Sequence, residues 1–341
     1  MKTTPRRRPE ASEPLVSAYD VALLDLDGVV YLGGTAIPGA PEALRKAQAD
    51  GMRLAYVTNN AFRTPAAVAA LLQGMGAPAE AGDVVTSAQA AARLLAERLP
   101  AGAPVLVIGG TGLRIAVRER GLRPVTTAAD KPAAVVQGYA PGISYSALAE
   151  GCLAVRAGAV FVASNGDLTL PSARGREPGN GSLLQVIVAS TGVEPIVAGK
   201  PETPLQRESV LRTGAKRPLV VGDRLDTDIL GAHRVDTDSL LVLTGVTGPA
   251  EAVLAPPDQR PTYIADDLNG LLHPQPEVTG APDGGYTCGG WAARWAGHQL
   301  ELSGDGEPID GLRALCAATW SRDTPVSSRD SVADALQRLT S

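Results

Sequence analysis

Short uninterrupted apolar runs alternate with longer amphipathic stretches through most of the chain. Val21 to Leu24 precedes a stretch of helical periodicity near 41–49, and Arg53 to Val57 precedes another near 65–73. Apolar runs of this length bounded by turn residues predict strands covered on both faces, so the alternation predicts a parallel sheet flanked by helices. A second series follows, with strands expected at 105–108, 133–136 and 159–162 and helices near 88–98, 112–120 and 146–157. The first character returns with a strand at 218–221, a helix near 228–234 and a strand at 239–243. The pattern therefore predicts an α/β core, residues 17–81 and 198–272, interrupted by an inserted α/β domain at 82–197.

The two ends read differently. Residues 1–16 are polar, basic and proline-containing, which predicts a disordered tail with the fold beginning near Tyr19. Prolines and glycines cluster between Pro274 and Gly290, which predicts a linker at 273–290. All three tryptophans, Trp291, Trp295 and Trp320, lie beyond it. Residues 291–341 are expected to form a small α+β module, with strands within 291–302 and a helix over 310–320. No chemical motif stands out in it, and its tryptophans are expected to build a small core.

Composition narrows the function classes. With 31 basic and 36 acidic residues, a net charge of −5 and basic residues scattered except for Arg6, Arg7 and Arg8, nothing suggests a nucleic-acid groove. No apolar segment reaches the roughly 18 residues needed to span a membrane, and no apolar run follows the arginine triplet as in a signal peptide. A cytoplasmic protein is expected. Cys152, Cys288 and Cys316 are far apart and odd in number, against a disulfide framework or a zinc site. His233, His273 and His298 have no ligand spacing, so catalysis must rest on carboxylates. Only five of the 31 basic residues are lysines, which makes a lysine in a glycine turn conspicuous.

Four motifs follow apolar strands. In Val21-Ala-Leu-Leu-Asp25-Leu-Asp27-Gly28 a buried strand runs into two carboxylates, at the carboxyl end where open α/β sheets place ligands. Such a pair invites a hard cation such as Mg2+, although an ordinary aspartate turn explains it equally well in isolation. Leu54-Ala-Tyr-Val-Thr58-Asn59-Asn60 offers a hydroxyl and loop N–H groups to a phosphoryl oxygen, or merely an N-cap. Gly199-Lys200-Pro201 is not a P-loop, since Glu194 stands at the first glycine position and no hydroxyl follows the lysine. Taken alone, it reads as a surface turn. Leu219-Val-Val-Gly222-Asp223-Arg-Leu-Asp226-Thr-Asp228 places three carboxylates within six residues, a density that a helix dipole explains for Asp226 and Asp228 but less well for Asp223. Because each motif follows a strand, all four can converge at one edge of a parallel sheet.

In this order, DLDGVVY, TNN, GKP and VVGDRLDTDI resemble the haloacid dehalogenase superfamily of phosphatases, in its NagD-like capped branch, over roughly residues 19–272. The spacing of TNN and GKP resembles that branch too, as do Ala163-Ser-Asn165-Gly-Asp167, Leu170-Pro171 and Pro178-Gly179-Asn180-Gly181-Ser182 within the insert. The resemblance implies a Rossmann-like parallel-sheet core with a large α/β cap of the C2 type. It implies that Asp25 is the nucleophile, that Asp27 is the general acid and base, and that Lys200 is the cation orienting nucleophile and phosphate. Thr58, with Asn59 and Asn60, is implied to bind phosphate, and Asn165 and Asp167 to meet the substrate from the cap. Mg2+ is implied as cofactor, held by Asp25, the Asp27 backbone carbonyl and Asp223, with Asp228 behind them.

These roles imply hydrolysis of a small phosphorylated metabolite through an aspartyl-phosphate. Asp27 must begin protonated, and burial beside other carboxylates is expected to raise its pKa. Glycerol 3-phosphate is the first expected substrate, with phosphoglycolate, pyridoxal phosphate and nucleotide monophosphates as alternatives. A regulatory protein with a vestigial phosphatase core is the alternative of another class, and a homodimer is kept open. Three departures bear on this. Ala140 stands where many branch members have an aspartate, Gly166 separates Asn165 from Asp167 where a bulkier residue is common, and Asp236 replaces a usual glycine, at little cost because aspartate tolerates a left-handed backbone.

Overall fold

The computed structural model describes residues 13–339 apart from 173, 283, 323–325 and 327, and the backbone alone at 171 and 172. The described chain divides into two compact units, one of residues 1–32, 36–53 and 216–341, the other of residues 33–35 and 54–215.

In the first unit four parallel strands lie in the order Tyr263–Ala265, Asp238–Val242, Pro218–Gly222 and Val21–Leu24. Val21 to Leu24 are all buried, as a strand covered on both faces requires. Its register with the next strand pairs Leu24 with Val221, and the Asp25 N–H continues the ladder onto the Val221 carbonyl at 2.8 Å. The motifs at 25–28 and 223–228 therefore leave adjacent strands side by side. The acidic segment coils through a π-helical turn, Leu225–Ile229, into the helix Leu230–Arg234. Asp236 adopts φ +53°, the left-handed backbone expected where it replaces a glycine.

The chain ends depart from expectation. Within the tail expected to be disordered at 1–16, residues 1–12 lie outside the described residues, whereas Leu15–Ala18 is a helical turn with Leu15 fully buried. The core thus gains an anchor four residues before Tyr19. The span 273–290, expected as a linker, supplies strands Thr279–Gly280 and Tyr286–Cys288 to an antiparallel sheet completed by Trp291–Ala296 and Gln299–Gly304. Its prolines and glycines shape short hairpin strands. The helix Pro308–Trp320 covers this sheet, and the expected tryptophan core is present: Trp291 is buried, with Trp295 and Trp320 packed partly around the same cluster. That cluster also takes in Ile229, Leu241, Val253 and Ile264, so the module shares a core with the parallel sheet. Arg313 of its helix donates to the Ile264 carbonyl at 2.6 and 3.1 Å, covering an acceptor of the edge strand, while pairing with Asp310 at 2.5 Å.

In the second unit Arg53–Thr58 pairs in parallel with Val84–Thr86. A separate five-stranded parallel sheet has the order Ile196–Val197, Val160–Ala163, Ala134–Gln137, Pro104–Ile108, Arg123–Val125. The strands expected at 105–108, 133–136 and 159–162 are all present within a residue at each end. The helix Ser87–Ala96 starts at a capping box, with Thr86 and Gln89 bonding each other's backbone at 2.9 and 3.3 Å. Helices Asn180–Thr191 and Thr203–Thr213 stop at Gly192 and Gly214, both with positive φ. Buried Glu208 ties three elements together through Arg93, Arg120 at 2.7 Å and Arg212 at 3.3 Å.

The strand order of this second sheet reverses between Pro104–Ile108 and Ala134–Gln137, the place where open α/β sheets open a crevice at their carboxyl ends. Here the chain segment Ala61–Arg63 fills it. The Gly112 N–H, in the first turn of helix Thr111–Glu119, donates to the Phe62 carbonyl at 3.0 Å. A Cβ added at Gly112 would lie 2.8 Å from the Ala61 oxygen, and one at Gly138 would lie 3.1 Å from the Ala61 Cβ.

No helix among the described residues is long and apolar enough to cross a membrane. Replacing Leu15 by alanine should destabilise the protein by about 2–5 kcal/mol, the usual result of emptying a fully buried leucine site, read from the urea denaturation midpoint. Desolvation, with Asp310 beside it, pushes the Cys288 thiol up to about 12, and burial alone raises that of Cys316. Native protein at pH 8 should therefore titrate at most one thiol with a disulfide reagent, that of half-buried Cys152, and all three after unfolding.

Candidate active site

Three carboxylates gather in the first unit. One oxygen from each of Asp25, Asp223 and Asp228 lies within 4.8 Å of the others. Asp25 is half-buried, while Asp223 and Asp228 are each 1% exposed. Two buried carboxylates beside a third repel one another strongly in a region of low polarisability, so the cluster needs positive charge in its midst. All the gathered donors are hard oxygens, with no thiolate or imidazole among them, and that donor set fits Mg2+.

Glycines allow this density. Gly28 has φ +83°, and a Cβ there would lie 2.6 Å from the Asp223 carboxyl carbon; one on Gly245 would lie 2.5 Å from the same atom. A Cβ on Gly222 would meet the Asp228 carboxylate at 2.5 Å. Backbone therefore packs directly against both buried acids. The Val246 N–H donates to Asp223 Oδ2 at 2.7 Å, the Arg224 N–H to Asp228 Oδ2 at 3.3 Å, and the Thr244 hydroxyl to the Gly28 carbonyl at 2.5 Å. The first two of these bonds help to aim the carboxylates, and the third pins the backbone beside Asp223. None of Gly28, Gly222, Thr244 and Gly245 was singled out as a site residue from sequence; Thr244-Gly245 had the available signal of following the Asp238–Val242 strand, as the other motifs follow theirs.

Asp27 differs from expectation. It is exposed, joined to Tyr31 by an isolated backbone bridge, so desolvation is not what can hold a proton on its carboxyl group. Its side chain is also outside the three-carboxylate cluster. Asp228, expected behind the metal ligands, stands within the cluster itself.

The other expected residues come together in the second unit. Thr58, 8% exposed at the end of its strand, accepts the Asn60 N–H at 3.1 Å, and Asn60 Oδ1 accepts the N–H groups of Phe62 at 2.9 Å and Arg63 at 3.2 Å. Asn59 Oδ1 accepts the Lys200 N–H at 2.8 Å, and Asn59 Nδ2 donates to the Lys200 carbonyl at 3.2 Å and to the Asp167 carboxylate at 3.2 and 3.3 Å. The Asn59 carbonyl accepts Asn165 Nδ2 at 2.8 Å and the Ser87 hydroxyl at 2.6 Å. Lys200 is 4% exposed, and its Nζ donates to the Val57 carbonyl at 3.3 Å. Asn180 Nδ2 in turn holds the Asn165 carbonyl at 2.7 Å. Asn59, Asn165, Asp167 and Lys200 thus form one hydrogen-bonded group whose other members lie 106 to 141 positions from Asn59, while Thr58 and Asn60 bond to each other within the same loop as Asn59.

Comparison with known proteins agrees with the sequence reading. Residues 22–123 match the family described as haloacid dehalogenase-like hydrolase, and residues 197–271 a second described as HAD-hydrolase-like. Residues 288–340 match a GCN5-related N-acetyltransferase like domain. The D-glycerol 3-phosphate phosphatase of Mycobacterium tuberculosis is 45% identical over 312 residues, covering 90% of this chain and 87% of that protein. The 5'-nucleotidase YutF of Bacillus subtilis is 39% identical over 255 residues, 74% of this chain and 97% of its own. A crystal structure of the glycerol phosphate phosphatase of M. tuberculosis in complex with magnesium superposes with a TM-score of 0.86 at 42% identity, over 96% of this chain and 99% of that one. The likeness runs through both carboxylate-bearing strands and on into the C-terminal module, and the chain belongs to the haloacid dehalogenase-like hydrolases.

Proposed function

We propose that the chain is a Mg2+-dependent phosphomonoester hydrolase acting on a small phosphorylated metabolite, glycerol 3-phosphate first, through a phosphoryl group carried on Asp25. The carboxylate cluster of Asp25, Asp223 and Asp228 carries this reading. Its relatives include a D-glycerol 3-phosphate phosphatase similar along nearly the whole chain and a solved counterpart holding magnesium. The 5'-nucleotidase named among them keeps nucleotide monophosphates as the second reading.

A phosphomonoester dianion repels a carboxylate nucleophile. Mg2+, held by Asp25, Asp223 and the Asp27 backbone carbonyl with Asp228 beside them, supplies the charge that offsets this repulsion. Lys200 adds a second positive charge, and Thr58 offers its hydroxyl to a phosphoryl oxygen. An Asp25 oxygen attacks phosphorus in line as the bond to the ester oxygen breaks, and the Asp27 carboxyl gives its proton to the departing alkoxide. Water then gives a proton to the Asp27 carboxylate and attacks phosphorus, breaking the bond to Asp25 and leaving inorganic phosphate. We assign the chemistry to residues 17–81 and 198–272 and substrate choice to 82–197, with Asn165 and Asp167 as the residues that organise that choice. The cytoplasm is the compartment we assign, since a reducing environment suits three free cysteines, and a homodimer is the assembly to test by sedimentation.

Phosphate release from glycerol 3-phosphate, phosphoglycolate, pyridoxal phosphate and nucleotide monophosphates, with Mg2+ and with EDTA, tests the reading. Metal-dependent release fastest from glycerol 3-phosphate is the expected result; preference for another ester discards the substrate, and absence of metal-dependent release discards the mechanism. Asp25→Asn should abolish turnover, while Asp27→Asn with an activated aryl phosphate should accumulate phosphoenzyme, trapped by acid quench and detected by mass. Asp223→Asn should weaken Mg2+ binding at least about tenfold by calorimetry, because a charged oxygen donor is lost from a buried cluster.

A further inference from the structure

The carboxamide of Asn59 offers one acceptor oxygen and two N–H donors. Its oxygen takes the Lys200 N–H at 2.8 Å. One donor reaches the Lys200 carbonyl at 3.2 Å, and the other lies between the two Asp167 oxygens at 3.2 and 3.3 Å. The side chain is therefore fully engaged within the protein. It grips both main-chain polar groups of the proposed catalytic lysine, and no donor of the carboxamide is left for a phosphate, so any phosphate contact of this residue falls to its main-chain N–H. Gly199 makes the grip possible, since a Cβ there would lie 2.5 Å from Asn59 Oδ1 and 2.6 Å from the Ser164 carbonyl.

We propose that Asn59 is a positioning residue that fixes the Lys200 backbone, and through it the ammonium group, and that its pairing with Asp167 makes this placement depend on the 163–167 loop. The proposal rests on the assignment of Lys200 to phosphoryl transfer. Its geometry is two-sided. The Asn59 main-chain carbonyl is held by Ser87 and Asn165, so the residue cannot swing as a unit, and the side chain transmits that fixed origin to Lys200. Asp167, expected to meet substrate, spends its carboxylate at least in part on this bond. Lys200 lies in a buried setting where a lysine has four rotatable bonds to settle; fixing its main chain fixes the origin from which the ammonium group is placed. A shift of about 1 Å in such a group can cost about a hundredfold in rate.

The test is a reciprocal exchange measured with the preferred ester and with an aryl phosphate. Asn59→Ala should lower kcat by about ten- to a hundredfold while KM and the Mg2+ dissociation constant stay within about twofold. Asn59→Asp sets two carboxylates face to face and should lose at least as much. In the double variant Asn59→Asp/Asp167→Asn, donor and charge change places while an acceptor for the Lys200 N–H is kept. Its kcat should exceed the product of the two single effects by at least about tenfold. Thermal denaturation of each variant separates lost placement from lost fold, and if Asn59→Ala does not fold, Asn59→Asp, Asp167→Asn and their double variant still give the coupling without it. A double variant no better than the product overturns the proposal. So does an Asn59→Ala enzyme with normal kcat but raised KM and weakened inhibition by inorganic phosphate, since that marks direct contact with the phosphoryl group. Wild-type release with Mg2+ and with EDTA, run alongside, reports separately on the phosphatase reading.

Discussion

Negative charge packed at the carboxyl ends of two adjacent strands is the constraint around which this molecule is built. Asp25 leaves one strand and Asp223 the next, and parallel pairing of Val21–Leu24 with Pro218–Val221 obliges them to be neighbours. Three carboxylates at such spacing cost the folded state energy unless cation and hydrogen-bond donors meet them. Part of the answer comes from the backbone. Gly28, Gly222 and Gly245 bring the main chain against the two buried acids, and N–H groups of Val246 and Arg224 supply donors that carry no full charge. Neutral N–H donors orient the oxygens without cancelling their charge.

A second economy appears in the loops of the other unit. Asn59, Asn165 and Asn180 use carboxamides to bind backbone, joining segments around 59, 165 and 200 without any helix or strand between them. Such loops satisfy main-chain polar groups that a buried turn would otherwise leave unpaired. Glu208, with its three arginines, does a comparable task by ion pairing.

The longer parallel strands were legible because a strand buried on two faces must be apolar without interruption, and few other segments are, whereas the short strands Val84–Thr86, Arg123–Val125, Ile196–Val197 and Tyr263–Ala265 offered too few apolar residues to be expected. The acidic motifs at 25–28 and 223–228, each explicable alone as a turn or a helix start, were legible as a site because they and two further motifs all follow such strands. Leu15–Ala18 was not, since four helical residues show no periodicity and Pro14 beside polar residues looks like tail; what holds it is burial of Leu15, a tertiary fact. Strands at 279–280 and 286–288 were hidden by turn residues that also serve hairpins. Asn59 read as a turn residue because its partners lie 108 and 141 positions away, beyond anything local spacing reports. The burial expected for Asp27 failed because proximity to a buried strand does not bury the loop that leaves it.

The segment Ala61–Arg63 seated on Gly112 and Gly138 changes what the five-stranded sheet is. A strand-order reversal with a glycine turn and a helix start beside it is the architecture that elsewhere receives a diffusible nucleotide, and Gly109-Gly110-Thr111-Gly112 has that look. Here the occupant is covalently attached and its local concentration never falls. The sheet is born saturated: no metabolite level sets its occupancy, no translational entropy is lost on filling it, and any competitor must displace a tethered rival. The contact is an intramolecular joint, beginning one residue after Asn60, so the segment that bears the TNN motif is moored to a second sheet at the place where that sheet's strand order reverses.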